Sequence, residues 1–200
     1  GTYIIEPHLL GHVPPNENYS FERELFPKAL KLGYKIYGFV SNAYWLDVGT
    51  PQKYLTAHID ILDRKINFNF PYKKVLPNIY VGEGAVFSKE NLSMGPIVIG
   101  DKTVLEKDAR ILPLTVIGDN CIISAGSSIA ESIIFEGCHI GKNCIIRNSI
   151  LSKNVKVGDN VKIEDMSIIG DNTTIEHNNI LKNGIKINVN SLITEEQITF

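Results

Sequence analysis

The chain has 200 residues, 44% hydrophobic and 21% charged, ordinary proportions for a globular protein of one or two domains. A formal net charge of -2 gives no electrostatic case for a nucleic-acid or anionic-membrane partner, and no apolar run is long enough to span a bilayer. Three cysteines without a CxxC pair point to neither a disulfide framework nor a zinc site, and they fit a reducing cytoplasm.

The opening "GTYIIEP" lacks a Met and enters in mid-strand, which predicts a piece of a longer protein. "TYII" reads as a strand. "SFERELFPKALKLG" reads as a helix capped by Ser20, with Glu22, Arg23 and Glu24 in its first turn and Gly33 as its stop. Pro27 is placed to break or restart it. "YKIYGFV" alternates like a strand, and "AYWLDV" reads as another, with Trp45 and Asp47 on one face and Leu46 on the other. Thr50 then caps a helix that begins at Pro51 and carries an apolar stripe of Tyr54, Leu55, Ile59 and Leu62. Residues 67–80, with two prolines in "NFNFPYKKVLPN", read as a linker.

From Val81 onward a large apolar residue recurs every sixth position, as at Ile99, Leu105, Ile111, Ile117, Ile123 and Ile129. The phase slips by one residue before Ile140 and again before Val157, and Ser93 breaks the series inside "ENLSMGP". A second register of small residues runs four positions later: Ala85, Thr103, Ala109, Thr115, Cys121, Ser127, Cys144, Ser167 and Thr173. Glycine, Asn and Asp cluster at the ends of the blocks, where they tolerate tight corners. Three such sides make a coil of roughly eighteen residues, and the coils stack into a solenoid of about six turns. Period two, the signature of an ordinary sandwich, does not fit. The divisions expected are 1–66, 67–80 and 81–200.

The order "GTYIIEPHLL", "YSFERELFPKAL", "YKIYGFV" and "YWLDVGTPQKYLTAHIDIL", followed by hexapeptide repeats, resembles the sugar-phosphate nucleotidyltransferases. Within them it is most similar to mannose-1-phosphate guanylyltransferases and the related glucose-1-phosphate enzymes that carry a β-helix. The resemblance implies a mainly β chain, in which a left-handed parallel β-helix follows part of an α/β nucleotidyltransferase lobe. It also implies an intact enzyme that joins a nucleoside triphosphate to a sugar 1-phosphate, releasing pyrophosphate and using Mg2+. Asp47 falls on the acid of the family's W-x-D-x-G-T pattern, a magnesium ligand, and Gly1 and Thr2 fall at the end of the strand that lines the sugar pocket. The family's glycine-rich triphosphate loop, its second metal-binding Asp and the lysine of its "EKP" stretch have no counterpart in these 200 residues, so the chain by itself is expected to be inactive.

Two other readings stay open. Many hexapeptide-repeat proteins are acyltransferases with a histidine base, for which His139 and His177 are the candidates. A non-catalytic structural or regulatory module is the other. The doublets Ile133-Ile134, Ile150-Leu151 and Ile168-Ile169 cannot all face inward, so an outward apolar stripe either drives homo-oligomer assembly or is covered by the chain's own N-terminal region. Cys121 and Cys144 fall in the small interior register and read as packed thiols, apart from one another.

Overall fold

The computed structural model describes residues 2–199. The chain divides into two compact units, Gly1–Ala43 and Tyr44–Phe200. In the first, helix α1 (Pro7–Leu10) precedes a π-helical turn, Phe21–Leu25, that runs into helix α2 (Phe26–Lys31). Pro27 explains the wide turn: its ring crowds the carbonyl one turn back, and the ladder accommodates it with an i→i+5 bond from Phe26 N–H to Phe21 O. Ser20 caps the turn, its hydroxyl accepting from Arg23 N–H at 3.2 Å. Gly33, at φ 84°, closes α2: Tyr34 N–H donates to Ala29 O and Gly33 N–H to Leu30 O, the paired bonds of a Schellman ending.

The strands expected at "TYII", "YKIYGFV" and "AYWLDV" do not form; among the described residues, 2–66 contain helices and turns only. A strand exists when neighbours take up its N–H and C=O groups, and alternation does not supply the neighbour. The run at 34–40 has no regular secondary structure, with Tyr37 80% and Phe39 94% exposed.

The second unit begins with helix α3 (Pro51–Leu62). Where a linker was expected, strand β1 (Lys73–Leu76) pairs antiparallel with β2 (Ile79–Val81). From β2 onward every named pairing is parallel, in three sheets of eight, six and five strands that form the walls of a solenoid. Wall A stacks Ile79 on Ile97 on Thr115, steps of 18 residues; Val116 then pairs with Ile133 and Ile133 with Ile150, steps of 17, before Ile150 pairs with Ile168, again 18. These two shorter coils are the phase slips of the sequence. Each lacks one corner residue, and the walls stay in register.

The interior is a column of apolar side chains, with Ile99, Ile117, Ile134 and Leu151 essentially inaccessible. The small register works as hydrogen-bonding mortar. Ser127 Oγ donates to Gly141 O at 2.6 Å and accepts from Cys144 N–H at 2.9 Å, and Thr103 does the same between Gly118 O and Cys121 N–H. Asn120, Asn143, Asn154, Asn160 and Asn172 all hold positive φ at corners, where Asn is among the least strained side chains. The break at Ser93 follows a 3-10 turn, Lys89–Asn91, fastened by buried Asn91, whose amide donates to Glu106 O and Ala109 O.

Helix α3 lies against wall A. Leu55 packs with the outward Ile133 and Ile150, and Tyr54, Ile59, Phe135 and Met166 surround them. The helix rises roughly 5.4 Å per turn and the coils repeat at roughly 4.8 Å, so about one turn of helix meets one coil. The outward stripe is therefore covered at Ile133 and Ile150 by the chain's own helix.

Candidate functional site

The segment Tyr44–Pro51 brings the candidate acid to the solenoid. Thr50 ends it, its hydroxyl accepting from Lys53 N–H at 3.3 Å, and Pro51 takes the first helical position, where no N–H is required. Asp47 folds back over Gly49: a Cβ at Gly49 would lie 3.6 Å from both carboxylate oxygens. Its carboxylate is 3.6 Å from Lys53 Nζ, an exposed pair of the kind that contributes little to stability. Behind the turn is a cleft of about 330 Å³ between Val48–Pro51 and Tyr54 on one side and Phe135, Ile150, Ser152 and Ile168 on the other.

A second anchor lies further along. Asp60, 6% exposed, accepts from Tyr44 OH at 2.7 Å and from Lys65 Nζ at 2.6 Å. The Lys65 ammonium, and after it the Tyr44 hydroxyl, hold this carboxyl below the ordinary range although burial opposes them. His58 sits within α3 with its ring 4.4 Å from that of Tyr54 and its Nδ1 donating to Tyr54 O; burial pushes the imidazole down.

The other candidates have structural places. His139 is an exposed outward residue of the strand His139–Ile140. His177 is a corner residue whose Nδ1 accepts Asp159 N–H at 2.8 Å, the role that Asp101, Asp119 and Asp159 play for the coil before each of them. Cys121, Cys138 and Cys144 are free and buried, and each thiol donates to a backbone carbonyl of the next coil: Phe135, Ser152 and Gly158. Burial pushes the Cys144 thiol up to about 11, so it stays protonated at neutral pH.

A family model described as Nucleotidyl transferase matches residues 1–64. The model described as EIF2B subunit epsilon LbH domain matches residues 77–181, just over half of the chain. The chain belongs to this LbH family. The resemblance read from the sequence holds in both parts, and the solenoid is a left-handed β-helix. Relatives of this LbH chain are sugar-1-phosphate nucleotidyltransferases. The UTP–glucose-1-phosphate uridylyltransferase of Synechocystis sp. is 32% identical over 143 residues, covering 70% of this chain and 37% of its own length. Mannose-1-phosphate guanylyltransferase of Mycobacterium tuberculosis is 28% identical over 73% of this chain and 36% of its own. Glucose-1-phosphate adenylyltransferase of Acetivibrio thermocellus is 28% identical over 72% of this chain and 34% of its own. The LbH chain thus spans little more than a third of the length of these relatives. Among solved structures, WeeI from Acinetobacter baumannii aligns with a TM-score of 0.45 at 12% identity, covering 68% of this chain and 61% of its own.

Of the site residues expected from sequence, Asp47 is an exposed acid in the second unit of the LbH chain, and Thr2 is an exposed residue of the first. Gly1 lies outside the described residues. No group of three or more His, Cys, Asp or Glu able to hold a metal ion occurs among the described residues, and Asp47 has an ammonium as its charged neighbour. A single carboxylate fits an Mg2+ ion shared with phosphate oxygens, and not a metal site built from these residues alone. Sequence reading missed the Tyr44–Asp60–Lys65 cluster; an acid one residue beyond the apolar Ile59 was its only local signal.

Proposed function

We propose that this chain is the C-terminal portion of a sugar-1-phosphate nucleotidyltransferase. The carrying observation is the Trp45–Thr50 turn, whose following helix is packed on the wall of a left-handed β-helix. The reaction forms a bond between the sugar phosphate oxygen and the α-phosphorus of the nucleotide and breaks the bond to pyrophosphate, which leaves. Nucleotidyl transfer depends on positioning and on charge stabilisation. Asp47 would supply one carboxylate oxygen to an Mg2+ ion that arrives with the nucleotide phosphates, the manner in which Mg2+ commonly takes few protein ligands. The relatives named above transfer uridylyl, guanylyl and adenylyl groups, so they support the class of reaction and not one base. Thr2 and Gly1 are proposed as sugar-side residues on the resemblance alone.

The chain is assayed with each nucleoside triphosphate, Mg2+ and glucose or mannose 1-phosphate, following pyrophosphate. No turnover is expected from these residues by themselves, and turnover would overturn that part of the reading. The role of Asp47 is tested by titrating the chain with Mg2+ and UDP-glucose, GDP-mannose or ADP-glucose while following Trp45 fluorescence. A response lost in Asp47→Asn supports it, and an equal response in Asp47→Asn and the unaltered chain removes it.

A second role, assembly or regulation, is proposed for the solenoid. With wall A covered by α3, a homo-oligomer would use other faces, where Val86, Ile122 and Ile145 are exposed. Sedimentation equilibrium decides it: a strict monomer at high concentration rejects self-assembly. The proposal includes a cytoplasmic setting and nucleotide and sugar-phosphate partners. No helix among the described residues is long and apolar enough to cross a membrane.

A further inference from the structure

The segment that carries Asp47 has no sheet to hold it, since residues 43–49 pair with no strand among the described residues. Its attachments are few. The Asp47–Lys53 pair is exposed on both sides and weak. The strong one lies at its start, where Tyr44 OH donates to the Asp60 carboxylate at 2.7 Å, three residues before Asp47. Asp60 is nearly inaccessible, and an acid in that position is tolerable only with its charge compensated, as Lys65 Nζ does at 2.6 Å. Lys65 N–H also donates to Asp60 O at 2.9 Å, so the ammonium is delivered by the chain reversal that ends α3. Five residues before Asp60 on the same helix, Leu55 packs against Ile133 and Ile150 of wall A. The contacts are continuous from the solenoid wall through Leu55, the helix and Asp60 to Tyr44 and the turn.

We propose that Asp60 is a positioning residue: through Tyr44 it fastens the Trp45–Thr50 turn to the helix carried by the β-helix wall, so the solenoid sets the direction in which Asp47 points. The purpose of this clamp rests on the role proposed for Asp47, while its existence does not. If Asp60 served only to close the end of α3 with Lys65, Tyr44 would be dispensable. The two roles separate because Tyr44→Phe deletes one oxygen and leaves the Asp60–Lys65 pair in place.

Trp45, the only tryptophan, is next to Tyr44 and 72% exposed, so its emission reports this segment alone. In the full chain, Tyr44→Phe is expected to lower the steady-state anisotropy of Trp45 and to raise its acrylamide quenching. The detached population should grow roughly tenfold, the ratio implied by losing one hydrogen bond to a charged group. The thermal midpoint of the β-helix, followed by far-UV circular dichroism, should not move. Asp60→Asn, which keeps an acceptor for Tyr44 but loses the ion pair, should fall between Tyr44→Phe and the unaltered chain. Unchanged Trp45 anisotropy and quenching in Tyr44→Phe would overturn the proposal. So would a fall in anisotropy matched by a fall in the β-helix midpoint, which a merely structural bond would give. Neither measurement needs nucleotide, metal or turnover, so failure here leaves the nucleotidyltransferase reading intact, and an absent turnover leaves the clamp intact.

Discussion

Ser127 shows what a small interior residue does in this fold. Its hydroxyl serves a carbonyl of one corner and an N–H of the next coil, and both partners are buried. Ser127→Ala would leave them unpaired in the buried interior, and a loss of about 1–3 kcal/mol is expected from urea unfolding. The size of this residue was legible in the six-residue spacing; its donor and acceptor roles were not, because they depend on which carbonyl the neighbouring coil presents. His58 gives a pH signature. Burial holds its folded pKa below the unfolded one, so the folded state binds fewer protons. Its stabilising contribution is complete above the unfolded value, about 6.5, and is lost as pH falls through the folded value. Thermal midpoints measured between neutral and mildly acidic pH should fall less steeply in His58→Gln than in the unaltered chain. An equal slope in both would show that the imidazole is solvated.

Helix α3 is the element on which sequence and structure agree most closely. Thr50, Pro51 and the stripe of Leu55 and Leu62 all take the places their residue types predict, since capping and amphipathic burial are local properties. The surface that receives the stripe was not legible, because Ile133 and Ile150 lie far along the chain and periodicity shows only that they face outward. Leu55→Ala should cost about 2–5 kcal/mol of helix docking. The loss should appear as faster amide exchange in α3, with coils beyond Ile150 protected as before; uniform loss of protection would mean that helix and solenoid melt as one body. The failed strands at 34–40 and 43–48 belong to this scale too. Their alternation is genuine, yet Tyr37 and Phe39 remain exposed because no neighbouring strand is paired with them.

At the scale of the molecule, the second unit is quasi-one-dimensional, each coil bonded to the coil before and the coil after. Ile146→Ala in a central coil should therefore weaken coupling between the two halves and broaden or split the urea transition. Ile193→Ala at the last coil should only fray that end, which hydrogen exchange resolves by position. A sharp single transition in both variants would show longer-range cooperativity than nearest-neighbour stacking supplies. The sequence by itself determined the solenoid, its coil length and even its two short coils, because each side of a coil is a local pattern of one large residue, one small residue and a corner. Only the tertiary structure decided that Ile133 and Ile150 are covered, that Asp60 reaches Tyr44 and that the segment around Asp47 has no sheet. Each of those depends on a partner distant in the chain, and a residue's own pattern carries no information about whether that partner is there.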